Sequence, residues 1–250
     1  GDASHDALAA IVERAFGGWQ PPTSPMPGPG GRVQAKPAPH ADRLALLHRA
    51  GAAQSELRIG HVAEPRSTPD YHALLVLNLI LGGQFVSRIN MNLREDKGYT
   101  YGARSGFDFR MSAGPFTAAA AVHSAVTDSA VLEFVRELSR IRDERVPDAE
   151  LDRAKNYIAY GLARRFETTD DLARNLADAE LHALGDDYFD QYVARVRAVG
   201  ADDVQRVAAR HLDPAHWAIV VAGDRAVIEE GLRGLGMGDV VIRPIQDAAE

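Results

Sequence analysis

Residues 81–101 read LGGQFVSRINMNLREDKGYTY, and the fold turns on how this stretch is parsed. An almost wholly apolar run from Ala73 to Leu81 stops at Gly82-Gly83. Phe85, Ile89 and Leu93 then recur at spacing four and predict a helix over 85–96, with Arg94 in its last turn. From Tyr99 the period falls to two. Tyr99, Tyr101, Ala103, Ser105, Phe107 and Phe109 alternate with Thr100, Gly102, Arg104, Gly106 and Asp108, the pattern of a half-buried strand. Ser112 to Pro115 turns that strand back into Phe116 to Ser124, an antiparallel hairpin. Arg94 and Tyr101 therefore stand seven positions apart across a helix-to-strand junction, which can aim two side chains at one point.

Working outward, Leu44–Arg49 and Glu56–Ala63 read as strands, the second with Leu57, Ile59 and His61 set against Glu56, Arg58 and Gly60. Thr68-Pro69-Asp70 supplies a capping hydroxyl and a first-turn proline for the apolar helix that ends at Leu81, which should be buried on most sides. Downstream, helical stripes recur: Val131, Val135, Leu138 and Ile141, then Leu151, Ala154, Ile158 and Leu162 after Pro147, then Leu172, Leu176 and Ala179 after a Thr168 or Thr169 cap. Helices over Tyr188–Val196, Val204–Leu212 and Arg225–Leu235, a buried strand Ala218–Ala222 and an edge strand Val240–Ile242 complete the chain. Strands followed by helices, with hairpin connections, predict an α+β two-layer domain over 42–250, an antiparallel sheet backed by helices, rather than a doubly wound parallel sheet.

The amino-terminal region reads differently. Ala7–Phe16 is a short helix with Leu8, Ile11, Val12 and Phe16 on one face, a stripe that calls for a partner. Gln20 to His40 holds most of the prolines and no apolar period. We read 1–19 as the tail helix of a preceding, missing domain and 20–41 as a linker. The start at Gly1, without a charged leader, is read as that of a processed form or an excised piece.

Composition narrows the chemistry. With 46% hydrophobic residues a packed core is affordable, and a net charge of -7 argues against nucleic acid or an anionic membrane as partner. The longest apolar run, interrupted by Asn78, is about half the ~20 residues of a membrane span. The absence of cysteine excludes disulfides, thiolate metal sites and a cysteine nucleophile. Nine histidines make a zinc site worth seeking, yet His61-Val62-Ala63-Glu64-Pro65 has proline where a second ligand would stand and lies on a strand. His61 is read as structural. His211 and His216 flank Pro214 and cannot share a helical face. Ser87 has no G-x-S-x-G setting, and Gly82-Gly83 matches no phosphate loop. Arg94 and Tyr101 remain, a cationic fork and a hydroxyl donor suited to a developing oxyanion. Their bland alternatives are a core tyrosine in phase with Phe107 and Phe109, and an arginine paired with Glu95, Asp96 or Asp108.

The succession Gly82-Gly83, Ser87-Arg88, Leu93-Arg94-Glu95, Lys97-Gly98 and Tyr101 resembles the carboxy-terminal half of the pitrilysin, insulinase and mitochondrial processing peptidase family. Tyr99 departs from it, standing where an aliphatic residue is frequent, and Phe16 to Trp19 is similar to the tail that closes the first half of such proteins. The resemblance implies a duplicated split βαβ fold. It implies that Arg94 and Tyr101 contact substrate and transition state together with a homologous, zinc-bearing half carrying an HxxEH helix, in the same full-length chain or as a separate subunit. No cofactor is expected in this chain, zinc is expected in the partner half, and the substrate is expected to be a peptide or small protein. The chain alone should be inactive. The alternative it implies is a non-proteolytic scaffold or peptide-binding subunit, similar to respiratory-complex core proteins.

Overall fold

The computed structural model describes residues 2–20 and 43–244. The stretch read as a linker lies, past Gln20, outside the described residues. Helix α1 (His5–Phe16) has no buried residue, and Leu8, Ile11, Val12 and Phe16 are all at least half exposed.

A six-stranded sheet organises the rest, in the order β3-β4-β2-β5-β1-β6. The strands are β1 (Leu44–His48), β2 (Gln54–Val62), β3 (Thr100–Phe107), β4 (Pro115–His123), β5 (Ala218–Gly223) and β6 (Val240–Arg243). Pairings β3–β4, β4–β2 and β2–β5 are antiparallel, whereas β1 runs parallel to both β5 and β6. The expected hairpin is β3–β4, β5 lies inside the sheet, and β6 takes its expected edge place.

One face of this sheet is covered. Leu44, Leu46, Leu57, Ile59, Phe116, Ala118, Val122, Ile219 and Val221 point into the core, each close to fully buried. Helices α2 (Tyr71–Leu81), α4 (Thr127–Asp143) and α9 (Arg225–Gly234) pack on the sheet; α5 (Asp148–Gly161), α7 (Tyr188–Ala198) and α8 (Ala201–His211) pack against α2. Leu74, Val76, Leu77, Ile80 and Leu81 bury most of α2, each worth roughly 1.5–3 kcal/mol of transfer free energy. That explains a helix apolar on nearly every side.

Four local readings need correction. The helix after the glycines starts at Arg88, with Ser87 as its cap, rather than at Phe85: α3 comprises Arg88–Asn90 and continues as a π-helical turn, Met91–Asp96. Ile89 and Leu93 are buried as expected, but Phe85 precedes the helix and is exposed. Thr68 does not cap α2 directly, since the helix begins at Tyr71 and the Thr68 hydroxyl accepts from the Asp70 N–H at 3.3 Å. Leu172 and Leu176 of α6 (Thr169–Leu181) face solvent, because Asn175 on the polar side docks that helix. Its Oδ1 accepts from the Arg165 guanidinium at 2.6 Å, and its Nδ2 donates to the Arg165 carbonyl.

The fourth correction concerns β3. Its register with β4 slips between Thr100, opposite Val122, and Ala103, opposite Ala120, so three steps on one strand match two on the other. Such a bulge re-aims the residue it contains. Ala103 and Ser105 are buried as the alternation requires, but Tyr101 is ejected from the core phase and is 90% exposed.

Candidate functional site

The bulge that frees Tyr101 is fixed by its neighbours. The Thr100 hydroxyl donates to the Ala121 carbonyl at 2.6 Å and accepts from the Gly102 N–H at 3.1 Å, closing the chain around Tyr101. The Tyr101 hydroxyl has no partner among the described residues, and its ring rises over a hollow of about 230 Å³ on the sheet, lined also by Glu56, Gly102, Arg104, Ala119 and Ala121.

Arg94 sits in the last turn before Gly98, whose φ of 66° allows the sharp return into β3. Its guanidinium lies 4.4 Å from the centre of the Phe85 ring, and its Nε is 3.4 Å from Glu95 Oε1. The exposed ion contact is worth little, whereas the ring supports the planar cation from below. Phe85, expected in the core, is instead the platform for Arg94. No hydrogen bond or ring contact joins Arg94 to Tyr101; they stand on either side of the Lys97-to-Tyr99 return.

Asn90 ties the two sides together, and the sequence reading passed over it. Buried, it donates through Nδ2 to the Phe85 carbonyl at 2.7 Å and accepts through Oδ1 from the Ala103 N–H at 3.0 Å. The loop carrying the Arg94 platform is thereby fastened to β3 just past the bulge. An amide between Ile89 and Met91, on a helix that must bury that side, was the available signal. Gly82 adds a second tie, its carbonyl accepting from the Ser105 N–H at 3.0 Å.

The histidines serve the frame. His61 is buried against the Phe116 ring, and burial, helped by the charges of His216 and His211, lowers its pKa to about 4. His72 is likewise lowered to about 4, by burial and then by Arg195 and Arg66. His211 Nε2 is 2.9 Å from Asp70 Oδ2 and its Nδ1 is 3.4 Å from Glu64. Arg206 and Arg210 also hold Asp70, at 2.8 and 3.3 Å. Burial pushes the Asp70 pKa up, but the hydrogen bonds from His211 and Arg206 outweigh it and keep it below the ordinary carboxylate value. Two guanidinium groups on one carboxylate would repel a divalent ion, so this cluster does not fit zinc. Among the described residues no group of three or more His, Asp or Glu side chains is arranged to hold a metal.

Among the described residues no helix packs on the remaining face of the sheet. Its outward positions are mostly small: Ala45, Gly60, Ala119, Ala121, Ala218, Val220 and Ala222. Residues 1–158 match the family model described as the peptidase M16 inactive domain, well over half of the 250 residues, and the chain belongs to that family. An uncharacterized zinc protease of Mycobacterium tuberculosis is 27% identical over 231 residues, covering 89% of this chain and 50% of that protein. The chain thus spans about half the length of the curated relatives it matches. A peptidase M16 inactive domain from Pseudomonas fluorescens has the same fold, with a TM-score of 0.76 and 22% identity over 90% of this chain and 52% of that one. So does a chain of Complex III2 from Candida albicans, with a TM-score of 0.71 and 14% identity over 94% of this chain and 57% of that one. No helix among the described residues is long and apolar enough to cross a membrane.

Proposed function

We propose that this chain is the non-zinc half of a zinc-dependent endopeptidase, inactive alone, which helps enclose a peptide and stabilises the transition state of its hydrolysis through Arg94 and Tyr101. The observation that carries the reading is Tyr101 itself. A large aromatic side chain is held almost wholly in solvent by a bulge that three side-chain and backbone groups maintain, and its hydroxyl serves nothing within the described fold. Bulges of this kind recur beside active sites.

When bound in the partner half, zinc would activate the attacking water. What this chain supplies is positive potential and a neutral donor where the carbonyl oxygen gains charge. The Phe85 platform leaves the outer edge of the Arg94 guanidinium free to donate, and the Tyr101 hydroxyl donates without adding charge to the ground state. The small-residue sheet face would form one wall of the chamber, since an extended peptide can lie close to alanine and glycine. The exposed stripe of α1 suits packing on the partner half, as the tail of a preceding domain, with 20–41 as the link.

The likeness to a Complex III2 chain favours a second reading, a scaffold or peptide-binding subunit without proteolysis. Reconstitution separates the two. Each half purified alone should leave a quenched peptide library intact, and the two together should cleave it in a chelator-sensitive manner. A correctly assembled pair that cleaves nothing would favour the scaffold.

A further inference from the structure

The register of the sheet places two arginines on its uncovered face in a single row. Arg104 of β3 lies opposite Ala119 of β4, and Ala119 lies opposite Arg58 of β2. With strands about 4.8 Å apart, the two Cα atoms are about 10 Å apart with only a methyl group between them. Arg58 and Arg104 line one hollow of about 340 Å³, together with Gly106 and Thr117. Arg104 also lines the adjoining hollow under Tyr101.

The charges around them are not balanced. Arg58 Nη2 donates to Glu56 Oε1 at 2.9 Å, and Asp108, at the far end of the larger hollow, is held by Arg110. Arg104 has no hydrogen bond or ion pair among the described residues. A net positive spot therefore stands among the small outward residues of β4 and β5, in a protein whose overall charge is -7. Solvated sheet faces are ordinarily polar at each outward position, so two arginines set among Ala119, Ala121, Gly60 and Val220 are better suited to an anionic group laid on that face than to solubility.

We infer that Arg104 and Arg58 form a carboxylate slot that selects peptides bearing a Glu or Asp side chain about two residues from the peptide group met by Tyr101. Arg104 follows Tyr101 across the bulge of β3, where three residues advance the strand by only about two regular steps, roughly 7 Å, and an extended peptide on the same face covers that distance in about two residues. This rests on the proposed chamber but concerns which peptides enter it rather than how fast they are cut.

The test uses the 250-residue chain and dye-labelled alanine–serine decapeptides carrying one central Glu, Gln or Lys, followed by fluorescence anisotropy at low ionic strength. The Glu peptide should bind roughly fivefold tighter than the Gln peptide, a difference that narrows with added salt. Arg104→Ala and Arg58→Ala should each shrink the ratio, and Arg104→Glu should invert it in favour of Lys, all at unchanged melting temperature. Failure of every peptide to bind, equal affinity for Glu and Gln, or a Glu preference that survives Arg104→Glu overturns the inference. A slot that fails while Tyr101→Phe still abolishes turnover in the assembled protein refutes the slot alone; a slot that holds while Tyr101→Phe turns over normally refutes the catalytic reading alone.

Discussion

Gly82→Ala probes the contact that seats β3 against the end of α2. A Cβ at Gly82 would lie 2.4 Å from both the amide nitrogen and the hydroxyl oxygen of Ser105, and 2.9 Å from its Cβ, where ordinary contacts begin at 3.4 Å. The strand cannot simply retreat. Ser105 N–H donates to the Gly82 carbonyl at 3.0 Å, and Ser105 Oγ donates to Asn78 Oδ1 at 2.8 Å, so any shift that admits the methyl group lengthens both bonds. Overpacking of this kind costs about 1–3 kcal/mol, and a weakened buried hydrogen bond about 1 kcal/mol more. The total, about 2–4 kcal/mol, corresponds to a fall in Tm of roughly 5–15 °C for a domain of this size. Gly106→Ala is the control on the same strand, since its Cβ would meet nothing within 4 Å, and it should melt within a few degrees of the parent. Thermal unfolding followed by circular dichroism reads both. If Gly82→Ala melts as the parent does, the close approach of α2 to β3 is wrong, and with it the seating of the Tyr101 bulge.

Two further outcomes follow from the buried polar frame. Asp70→Ala leaves buried His211 with only its Glu64 contact, Arg206 with only Asp203 and Arg210 without its ion pair, so urea denaturation should show a loss of about 2–3 kcal/mol, whereas Arg145→Ala, which breaks an exposed pair with Asp202, should stay within about 0.5 kcal/mol. The pH profile has a definite sign. His61 and His72 take up protons near pH 6.5 when unfolded but only near pH 4 when folded, so between those values the unfolded state binds more protons and stability rises with pH. Each contributes a slope of up to about 1.4 kcal/mol per pH unit, Asp70 adds losses only below its ordinary value, and His61→Gln should flatten the profile. A Tm that is constant or rises from pH 6.5 down to 4.5 contradicts the burial of these rings.

Most of the architecture was legible because periods of two and near four survive in the sequence wherever a side chain must choose between core and solvent. The reading failed where the choice depended on something non-local. At Tyr101 the parity of Phe107 and Phe109 alone would have put the ring in the core, the alternative to the substrate-facing placement, and the inserted register step at Thr100–Gly102 reverses it; Gly102 inside the strand pattern was the one local sign. Phe85 kept the helical spacing of Ile89 and Leu93 but lies before the Ser87 cap, because the chain needs Gly82 to Val86 to turn off α2. Leu172 and Leu176 carry a core-facing stripe with no core to face among the described residues, so sequence periodicity alone assigned them wrongly. Asn90 was invisible as a tie because its two partners, Phe85 and Ala103, belong to different elements.

The central claim is that Tyr101 meets charge developing in the transition state, and the most direct measurement is the turnover of Tyr101→Phe in the assembled two-half protein, beside its Tm. Phenylalanine keeps the ring and removes only the hydroxyl. Because that hydroxyl bonds to nothing within the described fold, Tm should not move. Turnover should fall by roughly 10²-fold or more, about 2.7 kcal/mol, with KM changing far less, and Arg94→Lys should recover only part of what Arg94→Ala loses. Turnover within twofold of the parent at the same Tm would contradict the claim and leave Tyr101 an exposed side chain without a catalytic role.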